Sequence, residues 1–185
     1  MVSLLRRRAM MVAKSGGSNR LYLFNNGDEC TAVTGGWEFD KFFVVNGSRY
    51  TAENDGESLA ITATAKMSTS TSKTISTFNA IDLTGFSKMV LDCVCFKASS
   101  AGYVNYWVYL PTKKANATNK QSTAFGSDYA NRRFSINEQI ESGTRTVLEL
   151  DISTFNEPCF ICLNLNGWGN AIAGAYGKTF SMHLE

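Results

Sequence analysis

The sequence has few of the residues on which enzyme active sites are commonly built. Of its 185 residues only one is histidine, His183, and two are proline, Pro111 and Pro158. A Ser-His-Asp or Cys-His set would have to use His183. Glycoside hydrolysis needs two placed carboxylates, and no spacing singles out a pair among Glu38, Asp40, Asp92, Glu138 and Glu149. The sequence therefore predicts a protein that is not an enzyme.

Long apolar runs are also missing. A membrane span needs about 20 apolar residues, and Arg6, Arg7 and Arg8 interrupt the apolar start, so neither a span nor a secretory signal is predicted. Five cysteines leave one thiol over after pairing, and the CxxC of Cys159 and Cys162 lies in a strand-like run rather than at a helix start. We expect buried, reduced thiols and synthesis in a reducing compartment.

One pattern occurs twice. Residues 81–90 and 150–159 both read strand end, Asp, aliphatic, hydroxyl residue, spacer, aromatic, and then a new apolar run. Asp82 and Asp151 are predicted to accept backbone N–H bonds there, as in Asx turns. Apolar residues alternate with period 2 elsewhere, which is typical of strands. The sequence predicts an all-β fold, an antiparallel β-sandwich of the jelly-roll type over 20–185, with strands that include 37–45, 73–83, 103–110 and 158–165.

The first 19 residues differ from the rest. Residues 1–20 hold five of the 18 basic residues and no acid, which leaves 13 basic against 16 acidic residues elsewhere. Apolar residues recur at spacings of three and four over 1–13, and a Gly/Ser-rich linker follows. We predict a short helical or extended arm over 1–19 that docks on a larger assembly. Nucleic acid is not expected, because the body adds no basic patch. The docking residues are Leu4, Leu5, Arg6, Arg7, Arg8, Met10 and Met11.

Two segments carry a resemblance to a known family. Residues 21–37, LYLFNNGDECTAVTGGW, and residues 81–88, IDLTGFSK, resemble phrases in phage and prophage proteins of gut Firmicutes, many of which have an arginine-rich head before a Gly/Ser linker. The resemblance implies a virion component (tail, baseplate, head decoration or fibre) made in the host cytoplasm, with other virion proteins as partners and homo-oligomers within the assembly. The corners also look like those of galactose-binding-like jelly rolls, which include carbohydrate-binding modules, and this is fold-level analogy.

Aromatic side chains indicate where a glycan would bind, because sugar C–H faces stack on aromatic planes and amides take the hydroxyls. Alternation over 103–110 gives one core face and one face that is either a platform or a second packed face. Trp168, between two glycines, is expected on a loop, exposed or covering the core edge, whereas Trp37 is expected in the core. The candidate glycan residues are Tyr103, Trp107, Tyr109, Asn166, Trp168 and Asn170.

These observations lead to one predicted function and two alternatives. We predict a non-enzymatic virion structural protein, docked by its arm, whose outward sandwich serves decoration or adhesion to host or mucosal glycan. A free carbohydrate-binding module is the alternative, and a glycan-cleaving enzyme is the third hypothesis. No cofactor is predicted, although Asn26, Asp28 and Glu29 offer oxygens for a structural calcium ion at a spacing that is not diagnostic.

Overall fold

The computed structural model describes residues 20–45, 49–114, 132–170 and 172–185, with backbone only for 40–45 and 69–71. The predicted arm and most of the long loop after residue 112 lie outside the described residues. No helix among the described residues is long and apolar enough to span a bilayer. The strands are β1 Leu21–Asn25, β2 Asp28–Glu29, β3 Trp37–Val45, β4 Tyr50–Asn54, β5 Leu59–Ala63, β6 Met67–Thr77, β7 Ile81–Asp82, β8 Lys88–Phe96, β9 Gly102–Tyr109, β10 Arg133–Ser135, β11 Thr146–Asp151, β12 Pro158–Cys159, β13 Cys162–Gly169 and β14 Tyr176–Leu184.

Two antiparallel sheets form the sandwich, and the predicted all-β fold is confirmed. The seven-stranded sheet runs β11-β8-β14-β1-β2, with β5 also bonded to β14 and β4 bonded to β5. The five-stranded sheet runs β10-β9-β13-β6-β3, and β12 and β7 form a small separate pair. Alternate residues of both sheets enter one apolar core, because side chains of a strand point to opposite faces in turn.

The repeated segments form matching corners between the sheets. The Asp82 carboxylate accepts the Thr84 N–H at 3.0 Å, and the Asp151 carboxylate accepts the Ser153 N–H at 2.9 Å. Both predicted Asx turns are therefore confirmed. The two corners also pair with each other. Strand β7, which precedes the first corner, bonds β12, which follows the second corner. Strand β8, which follows the first corner, bonds β11, which precedes the second corner. At the first corner the chain passes from β6 of the five-stranded sheet to β8 of the seven-stranded sheet. At the second corner it passes from β11 of the seven-stranded sheet back to β13 of the five-stranded sheet.

A tyrosine joins the two sheets through the core. Tyr106 of β9 is fully buried, and its hydroxyl lies 2.9 Å from the Thr179 hydroxyl of β14. A buried hydroxyl without a partner would cost about 1–3 kcal/mol, so each hydroxyl stabilises the position of the other. The Tyr106 ring also fills the space over Gly177, where a Cβ would lie 2.4 Å from Cδ2 of the ring. This contact sets the distance between the sheets behind the candidate site.

The five cysteines are free thiols, as expected, and four of them are buried. Burial raises the pKa of the Cys93 and Cys95 thiols to about 12. The pKa of Cys162 is also raised to about 12 by burial, although a hydrogen bond with Ser76 opposes the shift. These side chains pack as small apolar residues, and burial disfavours the reactive thiolate form.

Candidate functional site

The outer face of the five-stranded sheet carries the predicted glycan residues. On β9 and β13, Tyr103 lies opposite Trp168, Asn105 opposite Asn166, and Trp107 opposite Asn164 in register. The alternate residues of β9, Val104, Tyr106 and Val108, are buried in the core as predicted. Trp37 is likewise a core residue, at 6% exposure. The predicted alternation is thus confirmed over 103–108 and ends at the buried Tyr109, and the aromatic and amide side chains form adjacent rows on one surface.

Among the described side chains of this surface, Trp168 is the most exposed aromatic residue. It is 45% exposed, and its ring centroid lies 6.1 Å from that of Tyr103 at an interplanar angle of 76°. The expected loop is wrong, because Trp168 is the penultimate residue of β13. It lies where the register between β13 and β6 shifts, between Gly167 and Gly169. Irregularities of this kind change the direction of a side chain. Here the Trp168 ring lies at the edge of the outer face, where it is exposed to solvent.

The other two predicted aromatic residues are less open. Tyr109 is fully buried, so the structure offers none of its surface to a ligand, and its ring packs edge-on against Trp107 at 5.7 Å. The Arg133 guanidinium lies over the Trp107 ring, with its Cζ 4.5 Å from the ring centroid. This cation–π contact covers one face of the indole. Of the two aromatic pairs, Tyr103 and Trp168 present the more accessible platform.

Polar side chains form the floor between the aromatic pairs. Asn164 is fully buried, and its amide donates to the Thr74 hydroxyl at 2.7 Å and to the Lys73 carbonyl at 3.2 Å. Asn166 is 8% exposed, whereas Asn170, just beyond β13, is exposed. Because these hydrogen bonds fix the amide of Asn164, the floor is rigid next to Trp107, which lies opposite Asn164.

Sequence reasoning missed three polar residues beside these rows. Asn137 accepts the Tyr106 N–H at 2.9 Å and a hydrogen bond from the Ser135 hydroxyl at 3.3 Å, and it donates weakly to Asn105 at 3.5 Å. Arg133 and Ser135 lie opposite Tyr109 and Trp107 in the β9–β10 register. Arg133 and Ser135 lie two residues apart in β10 and so share one face of it, but only tertiary structure shows that this face adjoins Trp107.

The predicted calcium residues lie at the β1–β2 turn. The Glu29 carboxylate accepts the Trp37 N–H at 3.3 Å, and the Asn26 side-chain amide donates to Asn25 at 3.1 Å. Within the described ranges, no group of three His, Cys, Asp or Glu side chains is placed to hold a metal ion. The Glu29 carboxylate therefore has a structural use here, which is to hold the start of β3.

Three of the carboxylates considered for hydrolysis are in ion pairs. Glu38 lies 3.1 Å from the Lys114 ammonium, and Asp92 forms a bidentate pair with Arg145 at 2.7 and 2.8 Å. Glu149 pairs with Lys88. Each of these three carboxylates therefore already has a cationic partner within the protein.

A scan against protein-family models found no match to this chain. A search of the curated proteins found no match either.

Solved structures with a similar fold are distant. A family 29 carbohydrate-binding module has 10% identity and a TM-score of 0.44, with 91% of this chain and 92% of that chain covered. The glycoside hydrolase domain of Endo-D from Streptococcus pneumoniae R6 has 12% identity and a TM-score of 0.47, with 80% of this chain covered. Tailspike protein 4 of bacteriophage CBA120 has 10% identity and a TM-score of 0.38, with 80% of this chain covered.

The lengths of these structures differ from that of this chain. The chain spans 20% of the Endo-D structure and 19% of the tailspike structure. Since all three TM-scores are below 0.5, the similarities carry no functional argument.

Proposed function

We propose that this sandwich binds a glycan on the outer face of the five-stranded sheet, at the rim formed by Trp168 and Tyr103. The observation that carries the proposal is the exposed Trp168 ring beside a row of amides. The Trp168 indole is 45% exposed, so its open face makes no stabilising contact with the core. A pyranose ring can stack on that open face. Asn166 and Asn170 flank the ring and can hydrogen-bond sugar hydroxyls.

The spacing of the outer face favours an oligosaccharide over a single sugar. Tyr103 and Trp107 are separated by roughly 13 Å along β9, given the rise of a strand per residue. A single pyranose cannot reach both, whereas a chain that stacks on Trp168 can extend over Asn105 towards Trp107 and Arg133. We expect affinity to rise with chain length until both ends of this path are occupied.

Glycan arrays with the wild-type protein and a Trp168→Ala variant test this function. We expect binding to a defined set of oligosaccharides and an affinity at least about ten-fold lower for Trp168→Ala, because the ring supplies most of the apolar contact. Isothermal titration with the best array hit measures the change. Trp168→Phe should keep part of the affinity, since a smaller aromatic face remains.

A matched control separates the site from exposed aromatic surface in general. Tyr22 is 39% exposed and belongs to the seven-stranded sheet, so Tyr22→Ala should bind as the wild type does. The proposal is wrong if no oligosaccharide binds, or if Trp168→Ala binds as well as the wild type while both are folded by circular dichroism. Release of new reducing ends from the bound ligand would instead indicate the enzyme hypothesis.

The charge split of the chain supports a second proposal, docking of the basic arm on a virion. Residues 1–20 carry five basic residues and no acid, and the rest of the chain has an excess of acid. A cationic segment beside an acidic body is suited to an anionic partner surface. The resemblance to phage proteins supports the proposal that this partner is a virion protein.

Deletion of residues 1–17 tests the docking. We expect the truncated protein to fold, to keep its thermal unfolding midpoint, and to be absent from purified particles by immunoblot. Reversal of Arg6, Arg7 and Arg8 to Glu should have the same effect. Normal incorporation of the truncated protein would contradict docking by the arm and leave the glycan proposal untouched.

A further inference from the structure

Strand β11 is an open edge of the seven-stranded sheet. It bonds β8 through six residues in uninterrupted register, from Thr146 opposite Cys93 to Asp151 opposite Lys88. Within the part of the chain that the structure describes, no strand bonds its other side. Its backbone N–H and C=O groups on that side are therefore available for another strand.

The other edges in the described residues are shorter or irregular. Strands β2 and β10 have two and three residues, β4 has five, and β3 pairs β6 with two register shifts. Short and irregular edges resist pairing with another chain. Strand β11 has no proline, glycine or bulge, and Leu148 and Leu150 anchor it by packing into the core. It is thus the edge best prepared for pairing.

The outward side chains of this edge complement themselves. Val147 is 62% exposed, and Arg145 and Glu149, two residues to either side, have side chains 51% and 58% exposed. An antiparallel second copy centred on Val147 places valine opposite valine. The same register places Arg145 opposite Glu149 at both flanks. Directly opposed side chains in such a pair lie about 5 Å apart at Cβ, and both kinds of pair stabilise a sheet.

The intramolecular ion pairs prepare this arrangement. Arg145 is held by Asp92 and by its contact with Phe180, where its Cζ lies 3.7 Å from the ring centroid, and Glu149 is held by Lys88. Both charged side chains are therefore placed on the outer face before association, which reduces the entropy lost on pairing. Each keeps its own partner and gains one of opposite sign from the other copy.

We infer that β11 pairs with β11 of a second copy of this chain, in antiparallel register centred on Val147, to form a two-fold symmetric dimer with one continuous sheet. The interface is isologous, since the same residues meet from both sides. Its area is that of one strand edge, so we expect a reversible dimer with a dissociation constant in the micromolar range.

Sedimentation equilibrium of the full chain tests the dimer. Val147→Lys should raise the dissociation constant at least about ten-fold, because a charge at the centre of the edge opposes strand addition. Val147→Thr keeps a β-branched side chain and should change it less than about three-fold. Val147 is largely exposed, so neither variant should alter folding.

Two charge reversals provide the sharper test. Arg145→Glu alone places two carboxylates opposite each other at each flank, and Glu149→Arg alone places two guanidinium groups opposite each other, so each variant should be monomeric. Mixed in equal amounts, the two variants restore opposite charges and should form a 1:1 heterodimer. Native mass spectrometry distinguishes the heterodimer, and Glu141→Arg, in the neighbouring loop, serves as the control that still self-associates.

The outcomes decide the inference. A wild-type chain that stays monomeric at about 1 mM, a Val147→Lys variant that dimerises as the wild type does, or single reversals that self-associate normally would each overturn it. Heterodimers in the mixture, with both single variants monomeric, would establish the register as well as the edge.

Discussion

Substitution of Gly102 by alanine is expected to lower the free energy of unfolding by about 3 kcal/mol or more and to abolish glycan binding. Gly102 begins β9 at a φ of +119°, and a Cβ there would lie 2.2 Å from the Trp168 carbonyl oxygen. A left-handed backbone costs an L-residue about 1–2 kcal/mol, and overpacking adds a further 1–3 kcal/mol or so. The contact is with backbone, which has no rotamer by which to move away. Relief therefore requires separation of β9 from β13 next to Trp168.

Gly174→Ala separates the two causes. Gly174 also has a positive φ, +78°, but nothing lies within 4 Å of a Cβ built on it. It should lose only about 1–2 kcal/mol and keep its glycan affinity. Urea unfolding gives the stabilities and titration gives the affinities. Equal losses in the two variants would show that backbone strain alone, and not the contact with Trp168, determines the effect at Gly102.

Substitution of Gly177 by alanine is expected to lower the free energy of unfolding by about 3 kcal/mol. Gly177 faces the core from β14, and its added Cβ would lie 2.4 to 2.7 Å from three atoms of the Tyr106 ring. The ring cannot withdraw, because Tyr106 is fully buried and its hydroxyl is bonded to Thr179. Overpacking at such a site costs about 1–3 kcal/mol, and loss of the hydroxyl pair adds about 1 kcal/mol.

A double-mutant cycle shows whether the ring is the cause. Tyr106→Leu removes the atoms that the new methyl group would meet, so Gly177→Ala should cost at least about 1 kcal/mol less in the Tyr106→Leu background than in the wild type. Thermal or urea unfolding of the four proteins measures the coupling. Additive losses would contradict the contact between Gly177 and Tyr106 as the source of the destabilisation.

Features of the fold that depend on local chemistry were predictable from sequence. Strand β3 was expected over 37–45 and occurs as Trp37–Val45, and both Asx turns follow from an aspartate two residues before a free backbone N–H. The run 73–83 was expected as one strand, yet β6 begins at Met67 and β7 is a separate two-residue strand. The polar residues after Met67 show no apolar alternation, so the sequence gives no sign of a strand there. Strand β6 extends over them because it pairs with β13 and β3, which are distant in sequence.

For the candidate site too, the sequence predicts what depends on local geometry and not what depends on long-range packing. Alternation identified the outer face of β9, because the two faces of a strand follow from its geometry. Burial of Tyr109 and the position of Arg133 over Trp107 could not be inferred from spacing, since each depends on elements distant in sequence. The strand position of Trp168 was missed because glycines on both sides are typical of loops, whereas here they accompany a shift in register.

The pairing of β1 with β14 has a mechanical consequence. Leu21 lies opposite Leu184, and Arg20 binds Glu185 at 2.7 Å, so the chain enters and leaves the seven-stranded sheet at one place. Tension between residues 20 and 185 would act on one end of the antiparallel β1–β14 ladder. Its hydrogen bonds would then break one at a time, which needs little force. Tension between residue 20 and Trp168 would pass through the core from one sheet to the other and strain many contacts at once. We therefore expect the body to be compliant when stretched between residues 20 and 185 and stiff when pulled at the outer face of the five-stranded sheet.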